Sequence, residues 1–79
     1  MRVILFGIAR EMVGEKQVII DTGENISTVS TLKDWMKQKY PKLQQLKSFA
    51  VAVDSEYAND GDTLTSQNEI AIIPPVSGG

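Results

Sequence analysis

The sequence closes on Pro74-Pro75-Val76-Ser77-Gly78-Gly79, and these residues carry its most specific chemistry. Two final glycines set a carboxylate on a stalk without side chains, which a narrow channel in another protein can admit. Pro74 and Pro75 stiffen the approach and reduce the entropy lost when such a segment is threaded. Val76 is a candidate anchor in that channel, and Ser77 offers one hydroxyl for hydrogen bonding. The remaining inventory is narrow. The chain has no cysteine and no histidine, which excludes disulfides, thiolate metal sites and the commonest general base and metal ligand. Carboxylates, lysines, hydroxyls and the terminal carboxylate are what is left.

The 79 residues make one small domain, with 8 basic residues against 10 acidic ones spread along the chain. No basic stripe marks a nucleic-acid surface and no polybasic patch marks a membrane, so neither partner is expected. The apolar start, Met1 to Ala9, is too short for a signal peptide, and no apolar run approaches the roughly 20 residues that span a bilayer. A cytoplasmic location is the expectation. Asp54, Glu56, Asp60 and Asp62 lack the alternate spacing and distant bidentate glutamate of a calcium loop, and read as solvated loop charge.

Positioning the tail requires a scaffold, and the pattern along the chain supplies one. Residues 3–8 are a nearly unbroken apolar run, expected as a central strand. Residues 10–14 read as one helical turn or a loop closed by Gly14. Residues 17–21 form a second strand, close enough to pair antiparallel with the first. Thr28 is a plausible N-cap for a helix in which Val29, Leu32, Trp35, Met36 and Tyr40 recur at three- and four-residue spacing, ended by Pro41. Residues 49–54 suggest a third strand with its larger residues inward, followed by a turn and a short strand at Tyr57. Residues 69–73 form the last strand, stopped by the prolines. One helix across a mixed sheet is an α+β domain, in the element order of the β-grasp, or ubiquitin-like, fold. By analogy with that fold, the first and last strands lie side by side and parallel. The expected division is a domain over residues 1–73 and an extended tail over residues 74–79.

Alternation then separates two faces. With Val3, Leu5, Ile70 and Ile72 toward the helix, the opposite face carries Ile4, Phe6, Ala50, Ala52, Ala71 and Ile73. A solvated face is normally polar, so an apolar docking patch is expected there. Partial cover by the 42–47 loop, or simple β-propensity, is the alternative.

Taken with the tail, these residues resemble the small, sulfur-carrying subunits of molybdopterin synthase over the whole chain. The likeness rests on Phe6, on Ala9-Arg10-Glu11-Met12-Val13-Gly14, on Thr28-Val29 and on Tyr40-Pro41. It continues through Val51-Ala52-Val53, Gly61-Asp62 and residues 69–79, which end Ile-Pro-Pro-Val-Ser-Gly-Gly. The chain departs from that family's pattern at Asp54, commonly asparagine, and at Ser66-Gln67-Asn68, usually Asp-Gly-Asp. The resemblance implies a carrier that does not turn over substrate alone and binds no cofactor. A ubiquitin-activating-like adenylyltransferase, using ATP and magnesium, would convert Gly79 to an acyl-adenylate. A sulfur-mobilising protein would then leave a thiocarboxylate on Gly79, with Gly78 beside it. The large synthase subunit, in a heterotetramer, would pass that sulfur to the cyclic pyranopterin precursor to build the molybdopterin dithiolene. Phe6, Tyr57 and Ile73 would form the docking surface, with residues 74–77 in the partner's channel. A related carrier serving thiamin, tRNA thiolation or cysteine, or a modifier of protein lysines, uses the same ending.

Overall fold

A computed structural model describes residues 1–21, 23–46 and 48–74. The elements, in chain order, are β1 (Arg2–Leu5), α1 (Gly7–Val13), β2 (Gln17–Ile19) and α2 (Val29–Lys39). A 3-10 turn (Pro41–Gln45) follows, then β3 (Ala50–Val53), β4 (Glu56–Tyr57) and β5 (Glu69–Ile73). The five strands form one sheet in the order β2-β1-β5-β3-β4. β1 and β5 are parallel neighbours, and β2, β3 and β4 pair antiparallel. This is the mixed α+β, ubiquitin-like architecture expected from element order.

α2 forms where its apolar spacing and its cap agree. Val29, Leu32 and Met36 are fully buried on one face. Thr28 accepts from the Thr31 amide, and the Thr31 hydroxyl accepts from the Thr28 amide, a reciprocal capping box. The next orphan amides are satisfied from a distance: Val29 N–H donates to the Asp62 carbonyl at 3.0 Å and Ser30 N–H to the Asp60 carbonyl at 2.9 Å. The 59–62 loop is thus a cap for α2 as well as surface charge, and Asp60 also pairs with Lys33 at 2.7 Å. The Trp35 indole donates to Glu24 at 3.0 Å, tying the helix to the turn before it.

The core joins Val29, Leu32 and Met36 to Val3, Leu5, Val51, Ile70 and Ile72 from the strands and to Ala9 of α1. Each fully buried aliphatic side chain contributes about 1.5–3 kcal/mol relative to exposure. Leu43 of the 3-10 turn is also fully buried in this cluster, and its segment contacts α1 and α2. The described part of the 42–47 segment therefore packs on the helical side, not over the opposite face.

Several boundaries differ from the sequence expectation. The first strand stops at Leu5 rather than Ile8, because Gly7 adopts a left-handed φ of +54° that turns the chain into α1. α1 is consequently a seven-residue helix rather than one turn, closed as expected by Gly14 in a left-handed conformation (φ +84°). β2 and β3 are also shorter than expected, ending at Ile19 and spanning Ala50–Val53. Among the described residues, no helix is long and apolar enough to cross a membrane.

Candidate functional site

The sheet's two faces separate as alternation requires. Val3, Leu5, Ile70 and Ile72 are buried beneath the helices, while Ile4, Ala71 and Ile73 are half-buried on the far side. On that far side lies an open groove of about 330 Å³, floored by Ile4, Ala52, Ala71 and Ile73 and flanked by Phe6 and Tyr57. Phe6 is 51% exposed and Tyr57 75% exposed. Two large aromatics left this open against an apolar floor form a contiguous apolar patch, whereas isolated exposed apolar residues are ordinary.

Three residues named from sequence thus meet here. β4 brings Tyr57 opposite Ala52 of β3. β5 brings Ile73 opposite Ala50. Phe6 lies just past β1, and its amide donates to the Ile72 carbonyl at 3.3 Å, so the aromatic ring is held beside the end of β5 although the strand has ended. Ala50 shares this face by register with Ile73.

Ser55 and Glu69 also line the groove, and sequence reading did not single them out. Glu69 has the same strand parity as Ala71 and Ile73, so extending the alternation by one step would have found it. Ser55 comes from a turn, where parity gives no signal. Ile19, 63% exposed, extends the face toward its far end through its pairing with Arg2.

The geometry also fixes where the chain leaves the sheet. β5 runs parallel to β1, so Ile73 and Pro74 emerge beside Phe6 and Gly7. A Cβ placed on Gly7 would stand 3.2 Å from Pro74 Cγ, so the absent side chain makes room for the proline. The segment entering the tail therefore starts at the apolar end of the groove. Pro75, Val76, Ser77, Gly78 and Gly79 lie outside the described residues.

The opposite border of the groove is held by polar contacts. Asp54 and Ser55 both have left-handed backbones (φ +51° and +71°), the arrangement of a two-residue type I′ hairpin turn between β3 and β4. The Asp54 carboxylate accepts from the Glu69 amide and from the Asn68 side-chain amide, each at 2.8 Å. Asp54 and Asn68, the departures from the family pattern noted above, are therefore hydrogen-bonded to each other.

The sequence relationships agree with this architecture. Residues 3–79 match the ThiS family. The chain belongs to the ThiS family. This ThiS-family chain is 40% identical to the molybdopterin synthase sulfur carrier subunit of Caenorhabditis elegans, over 100% of the chain and 96% of that protein. Its fold superimposes on the crystal structure of SAMP1 from Haloferax volcanii with a TM-score of 0.79 at 26% identity, covering 99% and 97% of the two chains. It also superimposes, with a TM-score of 0.65 at 24% identity and coverage of 99% and 96%, on a chain of the complex of subunits 1 and 2 of molybdopterin-converting factor from Helicobacter pylori. The last likeness concerns the fold.

Proposed function

We propose that this chain is the sulfur carrier subunit of a molybdopterin synthase, with Gly79 as the group that is loaded and unloaded. The observation that carries the reading is the apolar groove beside the point where the chain enters Pro-Pro-Val-Ser-Gly-Gly. One face seats a partner while the adjoining segment reaches into it. The sulfur-carrier name of a relative matched over the whole chain supports the same reading.

The chemistry follows from the groups present. A carboxylate is a poor electrophile, so Gly79 is first adenylated by a ubiquitin-activating-like enzyme using ATP and magnesium, releasing pyrophosphate. A persulfide of a sulfur-mobilising protein displaces AMP to form an acyl disulfide. A thiol then breaks its S–S bond, leaving the Gly79 thiocarboxylate and a disulfide. The thiocarboxylate sulfur is a soft nucleophile and attacks a side-chain carbon of the cyclic pyranopterin precursor in the large subunit, where a C–O bond breaks and the oxygen substituent leaves. Water cleaves the resulting thioester, restoring the carboxylate and leaving sulfur on the pterin. Two such cycles supply the dithiolene. Gly78 keeps the approach to that active site free of side chains. Phe6, Tyr57 and Ile73 dock the folded part, Pro74 and Pro75 direct the segment, Val76 anchors it and Ser77 adds a hydrogen bond. No resident cofactor or metal takes part on this chain. Two copies, at the ends of a large-subunit dimer, make a heterotetramer in the cytoplasm.

Loading tests the reading. Incubation with ATP, magnesium, the activating enzyme and a persulfide donor should exchange one oxygen of Gly79 for sulfur, read by intact-mass spectrometry. A variant with one alanine appended after Gly79 should acquire none. Equal loading of both proteins would contradict the proposal. Attachment of Gly79 to lysines as ladders on a denaturing gel would favour a protein modifier, the reading that the SAMP1 likeness brings forward.

A further inference from the structure

Tyr57 stands on the weakest element of the sheet. β4 has two residues, lies at the sheet edge and pairs only with β3. So short a strand has little ladder of its own to fix it, and the turn leading into it places both Asp54 and Ser55 in left-handed conformations that non-glycine residues disfavour. Something outside β4 must hold the hairpin. Glu69, the first residue of β5, and Asn68 just before it do so through three contacts, all on Asp54. Its amide donates to the Glu69 carbonyl at 2.8 Å. Its Oδ1 accepts from the Glu69 amide at 2.8 Å. Its Oδ2 accepts from Asn68 Nδ2, also at 2.8 Å.

The orientation of Asn68 is set independently, because its Oδ1 accepts from the Thr65 amide at 2.7 Å. Its Nδ2 therefore faces Asp54, which must present an acceptor. We propose that Asp54 is a positioning residue for the docking groove: with Asn68 it clamps the β3–β4 turn to β5 and thereby holds Tyr57 at the groove's border. The clamp lies behind Ser55 and Glu69, which line the same groove. It is thus coupled to the surface without forming its apolar floor. This inference deepens the carrier reading, yet its geometric part can be measured on the free protein.

A reciprocal exchange isolates the contact. Asp54→Asn sets two amide NH2 groups against each other, and Asn68→Asp sets two carboxylates against each other. The double variant restores one donor facing one acceptor, with the Thr65 and Glu69 amides still satisfied. Two readouts apply: the Ala52 methyl resonance, which senses the Tyr57 ring across the strand pair, and the dissociation constant for the molybdopterin synthase large subunit of the same organism. Each single variant should shift the methyl resonance and weaken binding by about fivefold, with the double variant within about twofold of the parent. Thr28→Ala, which loosens the distant cap of α2, should lower the melting temperature and move neither readout. Single variants with an unmoved Ala52 methyl and unchanged affinity would overturn the clamp, as would a double variant no better than the singles. If the parent protein does not bind the large subunit, the carrier reading fails, while the methyl shifts still decide the clamp.

Discussion

The two faces of one sheet are built from alternate residues of the same strands, yet they do opposite work. Along β5, Ile70 and Ile72 are completely buried, whereas Ala71 and Ile73 remain half open. Along β1, Val3 and Leu5 are buried, whereas Ile4 is partly open. The helical face is filled by Val29, Leu32 and Met36 of α2, Ala9 of α1 and Leu43 of the 3-10 turn. The open face keeps a floor of alanine and isoleucine between two exposed aromatics. Apolar character therefore has two meanings here. On one face it is used up by folding, and on the other it stays open to solvent.

Substitutions on each face should separate these meanings. The largest effect on stability is expected from Ile70→Ala, which removes a fully buried side chain and should cost about 2–5 kcal/mol in urea unfolding. The folded fraction of that variant should bind the large subunit with unchanged affinity. Tyr57→Ala should reverse the pattern, changing stability by less than about 1 kcal/mol while weakening binding by about 2 kcal/mol, roughly thirtyfold, in titration calorimetry. Equal losses of stability from the two substitutions would break the comparison. Thr28→Ala removes a cap remote from the groove and should cost about 1 kcal/mol, visible as a lower melting temperature. The smallest effect belongs to Lys33→Ala, which breaks the exposed pair with Asp60. It should cost no more than about 0.5 kcal/mol and less as salt is added.

Much of this contrast was legible in the sequence because it depends on period. The apolar spacing from Val29 to Met36, the Thr28 cap and the proline stop define α2 almost to the residue. Parity alone places Ile4, Phe6, Ala52, Ala71 and Ile73 together. The chain's route past Leu5 was not legible. Residues 3–8 are all compatible with a strand, and a short apolar run gives no period by which to separate strand from helix. Only the left-handed φ of Gly7 ends the strand there, and glycine at that point permits such a backbone without demanding it. The Asp54–Asn68 contact was hidden for a different reason. It joins turns 14 residues apart through side chains, and no local rule pairs them. Along the sequence the two residues stand as separate positions, whereas physically they are one interaction.

The most direct test of the account follows the sulfur through transfer. Protein thiocarboxylated at Gly79 would be mixed with the large subunit and the cyclic pyranopterin precursor, with intact mass and pterin product followed together. The account predicts that the mass returns to that of the carboxylate as dithiolene forms, at two carriers consumed per product, and that Tyr57→Ala slows both at limiting concentrations. A thiocarboxylate that persists beside a demonstrably active large subunit would contradict it.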